Sequence, residues 1–87
     1  ELHWSTFGDQ QRRGALLVGT DDAAAMLAHH MNSLPQSEFR IRGLVDTDGR
    51  AVGSRHGRLP VFGTPDDLKD ISLAQGISDV FVIAGSL

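Results

Sequence analysis

The sequence predicts a three-layer α/β fold with a mainly parallel sheet, formed by a single small domain. Residues 15–18 and 80–84 are continuously apolar, which is typical of strands that are buried on both faces. Segments with the apolar spacing of amphipathic helices lie between the strands. That order favours parallel strands joined by right-handed crossovers, because each helix must pack back on the sheet.

The first half of the chain predicts a strand, a helix and a second strand. The strand at 15–18 ends at Gly19, and Thr20 can cap a helix over 22–33 whose first turn carries aspartates, as the helix dipole favours. The second strand is predicted at 40–45 and is followed by a strong turn signal. Apolar residues at helical spacing predict the buried face of the helix: Ala23, Leu27, Met31 and Leu34.

The second half predicts a surface loop, a short strand, a second helix and a final strand. Residues 50–59 are polar and rich in arginine, and a strand at 60–62 begins with proline, as a first position allows. A Thr-Pro-Asp-Asp start predicts a helix over 65–75, which Gly76 ends in the left-handed conformation. With the strand at 79–84, the order predicts a Rossmann-like sheet that is incomplete at the C-terminus.

The length of 87 residues limits the chain to one modest core, because a domain of this size buries roughly 60–65% of its unfolded surface. The apolar faces of the predicted strands and helices supply that core. The residues expected to be buried are Leu17, Val18, Leu27, Met31, Leu44, Val61, Leu68, Ile71, Val80, Val82 and Ile83.

Composition excludes several classes of protein. The chain has no cysteine, which excludes a disulfide scaffold and a thiolate metal site, and its net charge of −3 argues against nucleic acid as a partner. No apolar run approaches the ~18 residues of a membrane span. Both ends are abrupt, so we expect a piece of a longer polypeptide in which 1–13 is a linker or lead-in and 14–87 is the domain.

One motif has the position of a nucleotide site. Gly19-Thr20-Asp21-Asp22-Ala23-Ala24 joins the first strand to the first helix, where the dinucleotide fingerprint G-x-G-x-x-G/A lies in Rossmann folds. Gly19 and Ala24 suit its first and third positions. Asp21 replaces the second glycine, and its carboxylate would repel a pyrophosphate. The pattern is compatible with a nucleotide site, but it favours a turn in which aspartates satisfy the helix N–H groups themselves.

Asp46 follows the second strand, where an acid that binds ribose would lie. It comes 27 residues after Gly19, beyond the usual ~20, and a turn-forming role within 46–49 is an equal alternative. Gly19, Thr20, Asp21 and Asp46 are thus the candidate cofactor-binding residues. No catalytic residue, metal ligand or required cofactor is predicted; NAD, a nucleotide-sugar or CoA are the alternatives.

Basic residues are concentrated in the predicted surface loop. Arg50, Arg55, His56 and Arg58 form a basic stretch that could contact a phosphate or an acidic neighbour, although most such loops are only solvated. The adjacent pair His29-His30 has the wrong spacing for two ligands on one helical face.

Four segments together resemble a known domain. Four stretches look like the CoA-binding-like Rossmann domain of bacterial polysaccharide-biosynthesis proteins: 14–24, 39–48, 56–68 and 79–84. The most distinctive is His56 to Leu68, with its run Gly57-Arg58-Leu59-Pro60-Val61-Phe62-Gly63. Two groups of membrane proteins carry it: polyprenyl-phosphate glycosyl-1-phosphate transferases and nucleotide-sugar 4,6-dehydratases. In both, the domain follows transmembrane helices and precedes the catalytic domain.

The resemblance implies a non-catalytic regulatory or scaffolding domain of a glycosyl-1-phosphate transferase in exopolysaccharide or O-antigen synthesis. It implies a cytoplasmic domain of an inner-membrane protein, which meets the membrane only through segments absent here. The rest of the parent polypeptide is the expected partner, and a homo-oligomer is a further expectation. The alternatives are the equivalent domain of a nucleotide-sugar 4,6-dehydratase or epimerase, and a free-standing sensor of nucleotide or CoA.

Overall fold

The computed structural model describes residues 12–83, where five strands and two α-helices follow one another. The elements are β1 (Arg13–Val18), α1 (Asp22–Ser33), β2 (Phe39–Val45), β3 (Arg55–His56), β4 (Leu59–Gly63), a 3-10 turn (Pro65–Asp67), α2 (Leu68–Gln75) and β5 (Ile77–Val82). Each predicted helix and strand is present, with ends that differ by up to three residues. Most of the predicted lead-in, and residues 84–87, lie outside the described residues.

The strands form one sheet in the order β3-β4-β2-β1-β5. The pairs β1–β2, β1–β5 and β2–β4 are parallel, and β3–β4 is an antiparallel hairpin at the edge. The predicted α/β class and mainly parallel sheet are therefore confirmed. The prediction of a loop throughout 50–59 is wrong at Arg55 and His56, because Gly57 adopts a left-handed φ of 63° and closes a tight turn onto β4.

The two faces of the sheet are covered by different helices. Alternate residues of β1 point to opposite faces, so Leu17 packs with Ala24 and Ala28 of α1, whereas Leu16 packs with Ile71 of α2. Leu16 and Leu17 are both fully buried. This inner strand is consequently apolar on both faces, as its continuous apolar run predicts.

The predicted buried face of α1 is wrong by about one residue. Leu27 is 41% exposed, and the helix instead meets the sheet through alanines: Ala24, Ala25 and Ala28. Met31 continues that face and packs against its edge. Small side chains let the helix axis approach the sheet closely. The helical spacing of the larger apolar residues therefore predicts the neighbouring face of α1.

The remaining core predictions are confirmed on the inner strands and fail on β5. The buried ones are Leu17, Val18, Leu44, Val61 and Ile71, and the partly buried ones that pack against the core are Leu68 and Ile83. Val80 and Val82 are 39% and 50% exposed. They pair with Leu16 and Val18 and so lie on the α2 face, where Ile77 at the start of β5 packs against the core but Val80 and Val82 remain partly uncovered.

Asn32 takes the place of a neighbouring strand beside the first half of β2. The partner strand β4 pairs only with Leu44 and Val45, so no strand lies beside Ile41 on the side away from β1. The Asn32 side chain accepts from the Ile41 N–H at 2.7 Å and donates to the Ile41 carbonyl at 3.0 Å. This amide pair satisfies both backbone groups and ties the end of α1 to the sheet.

Candidate functional site at the carboxyl edge of the sheet

The predicted site residues come together because β1 and β2 are parallel neighbours that end at the same edge. The Gly19 N–H donates to the Val45 carbonyl at 2.8 Å, and the Asp46 N–H donates to the Gly63 carbonyl at 2.9 Å. These bonds extend the strand pairing by one residue on each strand. They bring the turn after β1 and the turn after β2 side by side, at the edge where α/β sheets commonly bind ligands.

Asp21 caps α1. Its backbone is extended, and its Oδ1 accepts from the Ala24 N–H at 2.8 Å. The prediction that Thr20 is the cap is therefore wrong, because α1 begins at Asp22 and only the residue just before it can reach the N–H groups of the first turn. Gly19 has a φ of 141°, a conformation that glycine alone adopts readily, so the chain turns sharply between β1 and the cap.

Asp46 organises the loop that follows β2. Its Oδ1 accepts from the Asp48 N–H at 3.0 Å and its Oδ2 accepts from the Ala51 N–H at 2.7 Å. The Thr20 hydroxyl donates to the same carboxylate, so Thr20 and Asp46 lie in contact across the two turns. The residue is 6% exposed. The geometry is that of an Asp which closes a turn with its own chain, and this is one of the two roles that the sequence left open.

The same hydrogen bonds determine the charge of this carboxyl group. Donation by the Ala51 N–H, and next by the Asp48 N–H, holds the pKa of Asp46 below its ordinary value, against an opposing effect of burial. Asp46 is therefore an anion at neutral pH. Asp21 is exposed and carries its charge at the neighbouring helix start. An incoming phosphate would meet two carboxylates at this edge.

Across residues 12–83, no three His, Cys, Asp or Glu side chains are grouped closely enough to hold a metal ion. None of the helices in that range is long and apolar enough to cross a membrane.

Comparison with known proteins finds no match: no family model, no curated protein and no solved structure is similar to this chain.

A second concave surface lies at the opposite, amino edge of the sheet, and the sequence analysis missed it. This cavity measures about 420 Å³. It is lined by His29, Asn32, Ser33, Arg40, Ile41, Arg42, Arg58, Leu59 and Gln75. Of the basic loop residues that the sequence singled out, only Arg58 is here. The overlooked signal is Arg40-Ile41-Arg42, because strand alternation places both arginines on one side of β2.

The lowered pKa of Asp46 predicts a specific loss of stability in acid. A carboxyl group whose pKa is lower in the folded state stabilises the fold above its unfolded pKa of about 4, and that contribution is lost as pH falls through the folded pKa. We expect Asp46→Asn to be less stable than the wild type at pH 7. We also expect its stability to fall less steeply below about pH 4, where the wild type loses the advantage of the charge.

Urea denaturation followed by circular dichroism between pH 2 and 7 measures this dependence. Asp48→Asn is the matched control, because Asp48 is an exposed residue of the same loop and contributes its backbone N–H to the turn. It should keep the wild-type pH profile. Equal profiles for Asp46→Asn and Asp48→Asn would contradict the assignment to Asp46.

Proposed function

We propose that this chain is a Rossmann-like regulatory or scaffolding domain, without catalytic residues of its own, of a polyprenyl-phosphate glycosyl-1-phosphate transferase. The observation that carries the proposal is that Asp21 already accepts from the Ala24 N–H, at the helix start that would otherwise receive a phosphate. Asp46 is likewise bonded to the N–H groups of its own loop. Both carboxylates thus support the turns, which suits a scaffold better than a dinucleotide enzyme.

The exposed apolar side chains of β5 support docking on the rest of the parent polypeptide. Val80 and Val82 remain partly uncovered on the α2 face of the sheet, and Leu73 of α2 is 77% exposed. Strands of parallel sheets are normally covered on both faces, and an uncovered apolar face favours association. Under this proposal the domain lies on the cytoplasmic side of the inner membrane, and segments outside this chain contact the membrane.

Assays on the complete polypeptide that contains this sequence distinguish the transferase from its main alternative. Transfer of sugar 1-phosphate from a nucleotide-sugar to polyprenyl phosphate is the result expected of the transferase. Conversion of the nucleotide-sugar to its 4-keto-6-deoxy product, without transfer, would replace the proposal by the dehydratase. In a transferase, Val80→Thr/Val82→Thr should reduce the activity, because docking weakens while the catalytic domain is unchanged.

The proposal predicts that the domain binds dinucleotides poorly. Titration with NAD, a nucleotide-sugar or CoA by calorimetry should show no dissociation constant below about 0.1 mM. Asp21→Gly should strengthen any residual NAD binding by about tenfold, the lower end of the range for like charges in a partly desolvated site, because Asp21 is exposed. Glycine at the cap position costs only a few tenths of a kcal/mol, so the variant should fold.

Asp22→Asn is the control for charge alone. Asp22 lies in the same first turn. Its substitution by asparagine removes one negative charge and leaves the Asp21 cap intact. Its effect on NAD affinity should be smaller than that of Asp21→Gly, which also frees the Ala24 N–H. Micromolar binding of NAD by the wild type would overturn the interpretation of this turn as structural. Light scattering at several concentrations tests the separate expectation of a homo-oligomer, and a monomer throughout would exclude it for this chain.

A further inference from the structure

The cavity at the amino edge combines a basic rim with apolar residues. Ile41 and Leu59 line it and are almost fully buried, at 1% and 5% exposure. Arg40, Arg42 and Arg58 are exposed residues that line it as well. A volume of about 420 Å³ is within the range of sites for small organic ligands, roughly 300–1,000 Å³. The cavity therefore has the size and the mixed lining of a small-molecule site.

The charge around this cavity is opposite to that of the chain as a whole. The net charge is −3, yet three of the eight Lys and Arg residues line this one cavity. No acidic side chain is found among the described residues that line it. A concave surface lined by charges of one sign concentrates the field and attracts counter-ions, so this edge favours anions.

The backbone at Arg58 is held in place by two contacts. The Arg55 guanidinium donates to the Arg58 carbonyl at 3.4 Å, which closes the turn between β3 and β4. The His29 Nε2 lies 3.3 Å from the His56 carbonyl oxygen, within hydrogen-bond distance. The hairpin is thereby tied to α1. Arg58 is presented to the cavity from a positioned turn, which lowers the entropy cost of binding.

Arg42 is positioned by the absence of a side chain at Gly14. A Cβ at Gly14 would lie 2.8 Å from the Arg42 Nε, so the glycine leaves the space in which the Arg42 side chain lies across β1.

The carboxyl end of α1, where a helix dipole would repel an anion, is partly neutralised. Arg12 donates to the carbonyls of Asn32 at 3.3 Å and Leu34 at 2.8 Å.

We propose that this cavity binds the phosphate group of an organic phosphate, with Arg42 and Arg58 as the cationic contacts. Arginine guanidinium groups bind phosphate oxygens through paired, charge-assisted hydrogen bonds, and the basic residues that line the cavity are all arginines. The cavity of about 420 Å³ leaves room beside the phosphate for the organic part of the ligand. A soluble phosphate ester and a phospholipid headgroup share this chemistry. The site lies at the edge of the sheet opposite Asp21 and Asp46. Phosphate binding there is a property additional to the proposed function.

Calorimetric titration with inorganic pyrophosphate tests the anion site. We expect a dissociation constant of about 0.1–1 mM for the wild type, and a loss of about tenfold or more in Arg58→Gln and in Arg42→Gln. Arg50→Gln is the matched control, because it removes the same charge from an exposed loop position outside the cavity. It should change the affinity by less than about twofold. Circular dichroism of each variant establishes that it is folded.

Two results would overturn the proposal: the absence of pyrophosphate binding, or equal weakening by Arg50→Gln and Arg58→Gln, which would indicate general attraction to positive charge.

Glycerol 3-phosphate and phosphatidylcholine vesicles containing phosphatidic acid then distinguish the two sources of the phosphate group. Binding of either one that is lost in Arg58→Gln supports the site and identifies its source. The proposed function depends on Asp21 and Asp46 at the opposite edge, and neither side chain lines this cavity. The loss of pyrophosphate affinity in Arg58→Gln is therefore measured independently of them, and failure of this proposal is distinguishable from failure of the proposed function.

Discussion

Leu17→Ala should destabilise this domain by about 2–5 kcal/mol, the range observed when a buried leucine is truncated and leaves a cavity. Leu17 is fully buried in the inner strand β1, and it belongs to the core cluster that joins α1 to the sheet. The whole stability of a small domain is only about 5–15 kcal/mol, so this single change consumes much of it. Thermal denaturation should show a melting temperature lower by at least about 10 °C.

Leu27→Ala is the matched control, because it makes the same chemical change in the same half of the chain. Leu27 is 41% exposed on the outer side of α1, so its truncation should cost less than about 1 kcal/mol. Alanine also has a slightly higher helix propensity than leucine, which offsets part of the loss. Comparable losses in the two variants would show that the face of α1 which meets the sheet has been assigned wrongly.

Gly43→Ala should be the second most damaging substitution. A Cβ at Gly43 would lie 2.6 Å from the Phe62 Cδ2, closer still to the Phe62 Cε2, and 2.9 Å from the Pro60 carbonyl oxygen. Gly43 follows an irregularity in the register of β2, where Ala15 pairs with Ile41 but Leu16 pairs with Gly43. One methyl group would force the aromatic ring and the adjacent strand to move, at a cost of about 1–3 kcal/mol.

A double-mutant cycle with Phe62→Ala identifies the cause of this loss. Removal of the ring leaves only the Pro60 carbonyl close to the new methyl group, so Gly43→Ala should cost about 1 kcal/mol less in the Phe62→Ala background. Urea denaturation of the four proteins measures the coupling. Additive effects would mean that the ring does not limit the space at Gly43, and that the strain arises in the backbone instead.

The sequence predicts the architecture well where local chemistry and packing agree. The continuous apolar run of β1 indicates burial on both faces, and the structure confirms it. The sequence also predicts both ends of the second helical segment. The Thr64 N–H donates to the Asp67 carboxylate at 3.1 Å, and Gly76 ends α2 with a φ of 66°. These features depend on neighbours along the chain, which a sequence contains directly.

The errors arise where tertiary contacts decide. Whether α1 meets the sheet through Leu27 or through Ala28 depends on how closely the helix approaches, which no local pattern records. Val82 is apolar enough for a core strand, but its exposure depends on where α2 lies over the sheet. At the candidate site the sequence identifies aspartates that accept hydrogen bonds from the N–H groups of their own turns. The residues that line the cavity at the other edge come from both helices and two strands, which local sequence does not connect.

The position of β1 between β2 and β5 has a consequence for how the protein is made. Its partner β5 is the last strand of the described chain, whereas β2 and β4 follow β1 much sooner. As the chain leaves the ribosome, four strands and α1 can assemble while one side of β1 still has unpaired backbone groups. The side chains of β1 are apolar on both faces, and its unpaired edge can pair with strands of other chains. A nascent intermediate that lacks β5 should therefore be the species that aggregates or recruits a chaperone.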